Sequence, residues 1–198
     1  MRKVVVSEFV SLDGVMEDPG GSEGWEHGGW SFQFERGDEG DKFKLDEVMA
    51  AEALLLGRVT YEAFAEAWPS RTDEVGFADK FNSMPKYVVS STLKDPEWDN
   101  STVLDGDLAE EVSKLRQGEG GDLLVNGSAQ LVQALMEHDL VDEYRLMVFP
   151  IVLGSGKRLF PESRDTTTLR LVDTQRAGDT LILIYQPARD GDEGSGAD

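Results

Sequence analysis

The sequence predicts an α/β fold of three layers, with a mostly parallel central sheet between helices and antiparallel strands at its C-terminal end. Two observations carry this. Short aliphatic runs alternate with segments of helical periodicity up to His138. Beyond that point three strand-like runs follow one another with no long helix between them.

The elements follow in order. Lys3 to Val10 is short and β-branched, a first strand ended by the turn chemistry of Ser11-Leu-Asp-Gly14. Val15 to Gly40 is rich in glycine, acid and aromatics, including Trp25, Trp30, Phe32 and Phe34, and reads as a long loop. Asp41 to Glu52 has helical spacing, with Leu45, Val48 and Met49 as its buried stripe. Ala53 to Leu56 is a second strand, and Arg58 to Trp68 a helix carrying Tyr61, Phe64 and Trp68 on one side. Thr72 to Met84 reads as a shorter helix, Lys86 to Ser91 as a third strand and Ser101 to Leu104 as a fourth.

Asp107 to Gln117 is amphipathic through Leu108, Val112 and Leu115, and the glycines from Gly118 stop it. Asp122 to Val125 is the next strand, and Ser128 to His138 a helix with Leu131, Val132, Leu135 and Met136 on its apolar face. Val141 to Phe149, Thr168 to Gln175 and Thr180 to Gln186 are the closing strands. Residues 1–187 thus read as a single domain, followed by a disordered acidic, glycine-rich tail over 188–198 that should be dispensable.

Composition narrows the function. The net charge is −20, from 39 acidic and 19 basic residues. That argues against nucleic acid and against anionic membranes, both of which require a basic face. With no cysteine, disulfides, thiol catalysis and thiolate zinc sites are excluded, and two histidines far apart do not suggest a metal site. No stretch reaches the roughly 18 apolar residues of a membrane span, and the N-terminal run, broken by Glu8, reads as a strand rather than a signal peptide. The expected location is cytoplasmic.

The strongest functional signal is Ala53-Leu-Leu-Leu-Gly-Arg-Val-Thr-Tyr-Glu62, a strand passing through Gly57 directly into a helix. The helix start offers free N–H groups and a favourable dipole for an anion, and Arg58 adds a planar cation suited to phosphate. Asp122-Leu-Leu-Val-Asn-Gly-Ser-Ala129 repeats the strand–glycine–helix pattern. Two such junctions suggest a dinucleotide held at two points. The alternatives are a tight turn with a solvated Arg58 at the first, and simple N-capping by Ser128 at the second.

Ser90 and Ser91 end the third strand, where α/β sheets bind ligands, but they also suit a turn. Asp13 lies just past the first strand and could orient a substrate or relay a proton, or could simply form the turn before Gly14. Trp25 and Trp30 could stack on a flat ring, or staple the loop to the core or to a second subunit.

Val6-Ser-Glu-Phe-Val-Ser-Leu-Asp-Gly14, Leu55-Leu-Gly-Arg-Val-Thr-Tyr-Glu62, Lys86-Tyr-Val-Val-Ser-Ser91, Leu124-Val-Asn-Gly-Ser-Ala129 and the Asp142 to Gly154 segment occur in register. Together they resemble the dihydrofolate-reductase-like family that includes the C-terminal reductase domain of the bifunctional riboflavin-biosynthesis deaminase/reductase, over about residues 2–187. The resemblance implies a dihydrofolate-reductase-like sheet binding NADPH along its strand ends. It implies that Gly57, Arg58, Val59 and Thr60 cradle phosphates and that Ser90 and Ser91 lie near the adenosine 2′-phosphate. It further implies that Asn126, Gly127, Ser128 and Ala129 hold the pyrophosphate, although Ser128 stands where the family has a second glycine and narrows the backbone approach.

The expected activity is NADPH-dependent hydride transfer to a small heterocyclic or conjugated acceptor, at a CH–NH or C=O type group. Asp13 and Trp30 are the residues expected near the acceptor. A pterin is held in true dihydrofolate reductases by an acidic residue on the helix after the first loop, a position that Asp41, Asp46 or Glu47 could fill. A ribose phosphate is held by basic residues, of which only Arg36 lies between Val10 and Lys42, so neither named substrate is well supported. Two other classes fit the same residues: a non-catalytic NADPH-binding protein or sensor, and a homodimeric interaction module.

Overall fold

Val4, Val5 and Val6 are consecutive and fully buried, so the first strand, β1 (Val4–Ser11), is covered on both faces, as a central parallel strand must be. The computed structural model describes residues 1–162 and 166–188. The remaining strands are β2 (Ala51–Gly57), β3 (Lys86–Val89), β4 (Ser101–Leu104), β5 (Asp122–Val125), β6 (Glu143–Phe149), β7 (Leu169–Ala177) and β8 (Thr180–Pro187). They form one sheet in the order β4-β3-β2-β5-β1-β6-β8-β7. Every pairing from β4 to β6 is parallel, while β6–β8 and β8–β7 are antiparallel. The predicted α/β fold with antiparallel C-terminal strands is therefore the observed one.

Helices α1 (Gly37–Ala50), α2 (Arg58–Ala67), α3 (Phe77–Ser83), α4 (Leu108–Arg116) and α5 (Ala129–Glu137) cover the sheet. Strand alternation divides the core between them. Val4, Val6, Leu55 and Val125 pack with Val112 of α4 and Leu135 of α5. Val5, Leu54, Leu56 and Leu124 pack with Val48 of α1, Tyr61 of α2 and Phe81 of α3. A third cluster places Trp30, Phe149 and Ile182 under the long loop.

Three expectations change. The first helix starts at Gly37 rather than Asp41, with Asp38 and Glu39 in its first turn, where the dipole favours acid. Its inner face is Gly40, Glu47 and Val48, whereas Met49 is exposed and Leu45 half-buried. Glu47 can face inward because its Oε1 accepts from Ser7 Oγ at 2.8 Å and from Lys44 Nζ at 2.6 Å. In the Thr72–Met84 segment only α3 is helical. Asp73 holds the preceding turn by accepting from the amides of Val75, Phe77 and Ala78. The long loop also contains a 3-10 turn at Trp30–Gln33. The reading of the tail falls, from residue 189 onward, outside the described residues. Among the described residues, no helix is long and apolar enough to cross a membrane, and no group of acidic or histidine side chains is placed to hold a metal.

Lys86 opens β3 fully buried. Its Nζ donates to the Asn82 carbonyl and, at 3.0 Å, to that of Asp99, and it lies 4.2 Å from the Trp98 ring centroid. Burial pulls its pKa down to about 8 against the attraction of Asp99. An unfolded lysine keeps its proton up to about 10.4, so within that window the unfolded chain binds more protons and stability rises with pH. Lys86→Met lacks this linkage. Urea unfolding across the window should show the wild type gaining stability relative to the variant as pH rises, and parallel profiles would contradict it.

Candidate functional site

The carboxyl ends of the parallel strands open onto one cleft of about 1240 Å³. Gly57 ends β2 and leads directly into α2, and Gly127 and Ser128 connect β5 to α5. Neither helix has a side-chain cap at its start, whereas α4 is capped by Asp107, which accepts from the Glu110 amide. Helix α1 likewise lacks a side-chain cap, but α2 and α5 start directly from strand ends, so their first-turn N–H groups, without a side-chain cap, lie along the same cleft.

Ser128 does not cap α5 as the simple alternative expected. It adopts a left-handed conformation with φ 63°, following Gly127 at φ 62°. Its hydroxyl accepts from the Gly57 amide at 2.8 Å and donates to Thr60 Oγ1 at 2.9 Å, joining the two junctions. Both glycines lie close to this contact, and Gly127 has no room for a side chain. A Cβ on Gly127 would come within 2.9 Å of Thr60, and one on Gly57 within 3.2 Å of Ser128 Oγ.

The structure brings Gly57, Arg58, Val59, Thr60, Ser90, Ser91, Asn126, Gly127, Ser128 and Ala129 together along this one cleft. Arg58 is held by Glu62, with contacts of 3.0 and 2.8 Å to its two oxygens. Ser90 Oγ accepts from the Thr92 and Leu93 amides in a turn, and Ser91 is exposed. Asn126 donates from Nδ2 to the Ser7 carbonyl at 2.8 Å.

Asp13 and Trp30 are placed otherwise than expected, since neither is among the residues lining the cleft. Asp13 accepts from Ser11 Oγ at 2.6 Å and from the Leu153 and Gly154 amides at 3.1 and 2.9 Å. Burial opposes its ionisation, but these hydrogen bonds outweigh it and pull the carboxyl down to about 2. It ties the first turn to the loop after β6. Trp30 is fully buried against Phe149, with Nε1 donating to the Glu17 carbonyl. The loop aromatics that reach the cleft are Phe32, which is 78 % exposed, and Phe34. The 3-10 turn produces this exchange by directing two neighbouring aromatics to opposite sides.

Two lining residues had not been singled out. Lys44 donates to Ser7 Oγ and Glu47 and lies 5.5 Å from the Phe9 ring centroid. Glu8 is 6 % exposed, and its Oε2 accepts from the Gly127 amide at 2.9 Å. The sequence signal for Glu8 was its place on the apolar face of β1, between the buried Val6 and Val10.

An α/β protein of dihydrofolate-reductase-like fold, with a ligand-sized cleft at its strand ends, is the class that this geometry defines. The RibD C-terminal domain family matches residues 2–183, and the chain belongs to that family. It is 30 % identical over 184 residues to YwjB of Bacillus subtilis, covering 93 % of this chain and 97 % of YwjB. It is 29 % identical to YyaP of the same organism, covering 92 % of this chain and 93 % of that one. Both relatives are uncharacterized. Its fold is shared with a Shewanella sp. PV-4 protein assigned by name to riboflavin biosynthesis, with a TM-score of 0.74, 23 % identity and coverage of 94 % and 99 % of the two chains. It is also shared with the Thermotoga maritima diaminohydroxyphosphoribosylaminopyrimidine deaminase/5-amino-6-(5-phosphoribosylamino)uracil reductase. That match has a TM-score of 0.62 and 14 % identity, and covers 94 % of this chain and 57 % of that one. The family is reductase-like.

Ser128→Ala should strand the Gly57 amide and cost about 1–3 kcal/mol in urea unfolding. Ser128→Gly loses the same bond but relieves the left-handed backbone, so it should cost less. Equal stability of Ser128→Ala and the wild type would show that the bridge carries no energy.

Proposed function

We propose that this protein is an NADPH-dependent reductase. The observation that carries the reading is the pair of uncapped helix starts, bridged by Ser128 and opening on one cleft. First-turn amides without a side-chain cap, two left-handed junction residues and a glycine, Gly127, with no room for a Cβ fit the phosphates of a dinucleotide. Gly57, Val59, Thr60, Gly127, Ser128 and Ala129 would hold the pyrophosphate, while Arg58, Ser90 and Ser91 would hold the 2′-phosphate. A bound reduced nicotinamide supplies a hydride and is left as a pyridinium cation.

The strand order gives the ligand its direction. Along the sheet edge lie Ser90 after β3, Gly57 at the end of β2, Gly127 after β5, and then β1. With adenosine at β3 and phosphates at β2 and β5, the nicotinamide would lie at β1. There Phe9, Phe32, Phe34 and Phe149 line the cleft and give a flat acceptor an apolar wall. The cations at that end are engaged: Arg36 with Asp41, Lys44 with Glu47, and Lys157 with Glu17. The acceptor would be a small heterocycle or conjugated compound lying against that wall. Protein groups orient the two rings and exclude water.

The Arg58–Glu62 pair is exposed and adds only about 0.3–0.5 kcal/mol to the helix, so a phosphate can displace Glu62. Arg58→Ala should weaken NADPH binding by roughly tenfold to a hundredfold, the loss of one charge-assisted contact, with little change for NADH. Titration calorimetry with both cofactors checks this, and equal losses would show that Arg58 does not read the 2′-phosphate. Loss of reduced-nicotinamide absorbance with a panel of flat acceptors distinguishes a reductase from a non-catalytic binding protein.

A further inference from the structure

The carboxyl of Glu8 has no structural task that uses both its oxygens. Oε2 accepts the Gly127 amide at 2.9 Å, whereas Oε1 is buried and has no hydrogen-bond partner. The charged groups that act on it are Lys44 and Glu47, both from α1. Lys44 is already committed to Glu47 and Ser7, and the β5–α5 junction offers Glu8 only an amide. An ionised carboxylate with one bare oxygen is costly in such a place, whereas a neutral carboxyl has an O–H to give. Burial accordingly pushes this group well above the ordinary carboxylate range, against the Gly127 hydrogen bond and the Lys44 charge. Its position matters as much as its state. Glu8 lines the cleft from β1, one strand beyond the Gly127 junction and beside Phe9.

We propose that Glu8 is a catalytic residue of this protein, touching the acceptor and giving it the proton that accompanies hydride transfer. The inference rests on the reductase reading above and adds to it the proton source. It also adds an acceptor class, a heterocycle whose reducible bond is a polar C=N or C=O. As the hydride forms a new C–H bond on the acceptor carbon, the electron pair of the broken π bond moves to the adjacent nitrogen or oxygen. That atom takes the proton from the Glu8 carboxyl, whose buried Oε1 must first turn toward the cleft. The carboxylate left on Glu8 would offset the positive charge that hydride loss leaves on the cofactor, and solvent would later reprotonate it. A site built this way favours neutral Glu8 with the reduced cofactor and ionised Glu8 with the oxidised one.

Calorimetric titration with NADP⁺ and with NADPH, near neutral pH in two buffers of different ionisation enthalpy, counts the protons exchanged on binding without requiring an acceptor. The wild type should release more protons with NADP⁺ than with NADPH, by up to roughly one per site. Glu8→Gln should abolish the difference. If that variant does not fold, carboxyl-carbon NMR of the wild type should show one glutamate titrating far above the others and falling when NADP⁺ is added. Equal proton counts for the two cofactors, or a difference that survives in Glu8→Gln, would overturn the role of Glu8 and leave the dinucleotide reading standing. Binding of neither cofactor would overturn the dinucleotide reading, and this inference with it.

Discussion

One hydroxyl holds the candidate site in shape. Ser128 Oγ accepts a hydrogen bond from the Gly57 amide and donates one to Thr60 Oγ1, tying the β2–α2 and β5–α5 junctions together. Much of the local sequence follows from that contact. Ser128 must be left-handed to reach across, which leaves α5 without a side-chain cap. Gly127 must lack a side chain, because its backbone is left-handed and a Cβ would press on Thr60, and a Cβ on Gly57 would crowd Ser128. The helix starts are thus kept bare and fixed in spacing by the residue whose position in the sequence suggests a cap.

The layer plan and the glycine junctions were legible in the sequence because they depend on local rules. Strand alternation, helix spacing and glycine at strand ends are visible within a few residues of chain. The inward turn of Glu47 was not legible, because its partners Ser7 and Arg145 lie 40 and 98 residues away. Asp13 and Trp30 lie off the cleft for a related reason. Both lie in the right segment, but orientation within a turn is set by contacts with Leu153, Gly154 and Phe149, which no local pattern encodes. Glu8 was readable in principle. A carboxylate on a face otherwise occupied by valines breaks the alternation, and such a break is costly unless something uses it.

The buried charge around Glu47 shows how the fold tolerates polarity close to the cleft. Lys44, Ser7 and Arg145 share that carboxylate, and Arg145 also reaches Glu143 at 2.8 Å and Asp122 at 3.5 Å. The network spans α1, β1, β5 and β6 and fixes the rotation of α1 against the sheet. Because Lys44 belongs both to this network and to the cleft, the position of the aromatic wall is tied to packing deep beneath it.

The acidity of the cleft has a kinetic side. Glu17, Glu23, Glu35, Asp38 and Asp105 line it in a chain whose net charge is −20. A polyanion approaching from solution meets repulsion over a Debye length of about 8–10 Å, whereas the helix amides attract it only on contact. Added salt therefore speeds its arrival, the reverse of ordinary electrostatic steering. Uncharged flat molecules enter without that barrier. The acidic lining thus acts as a filter on encounter, delaying anions and leaving neutral rings a free path to the aromatic end.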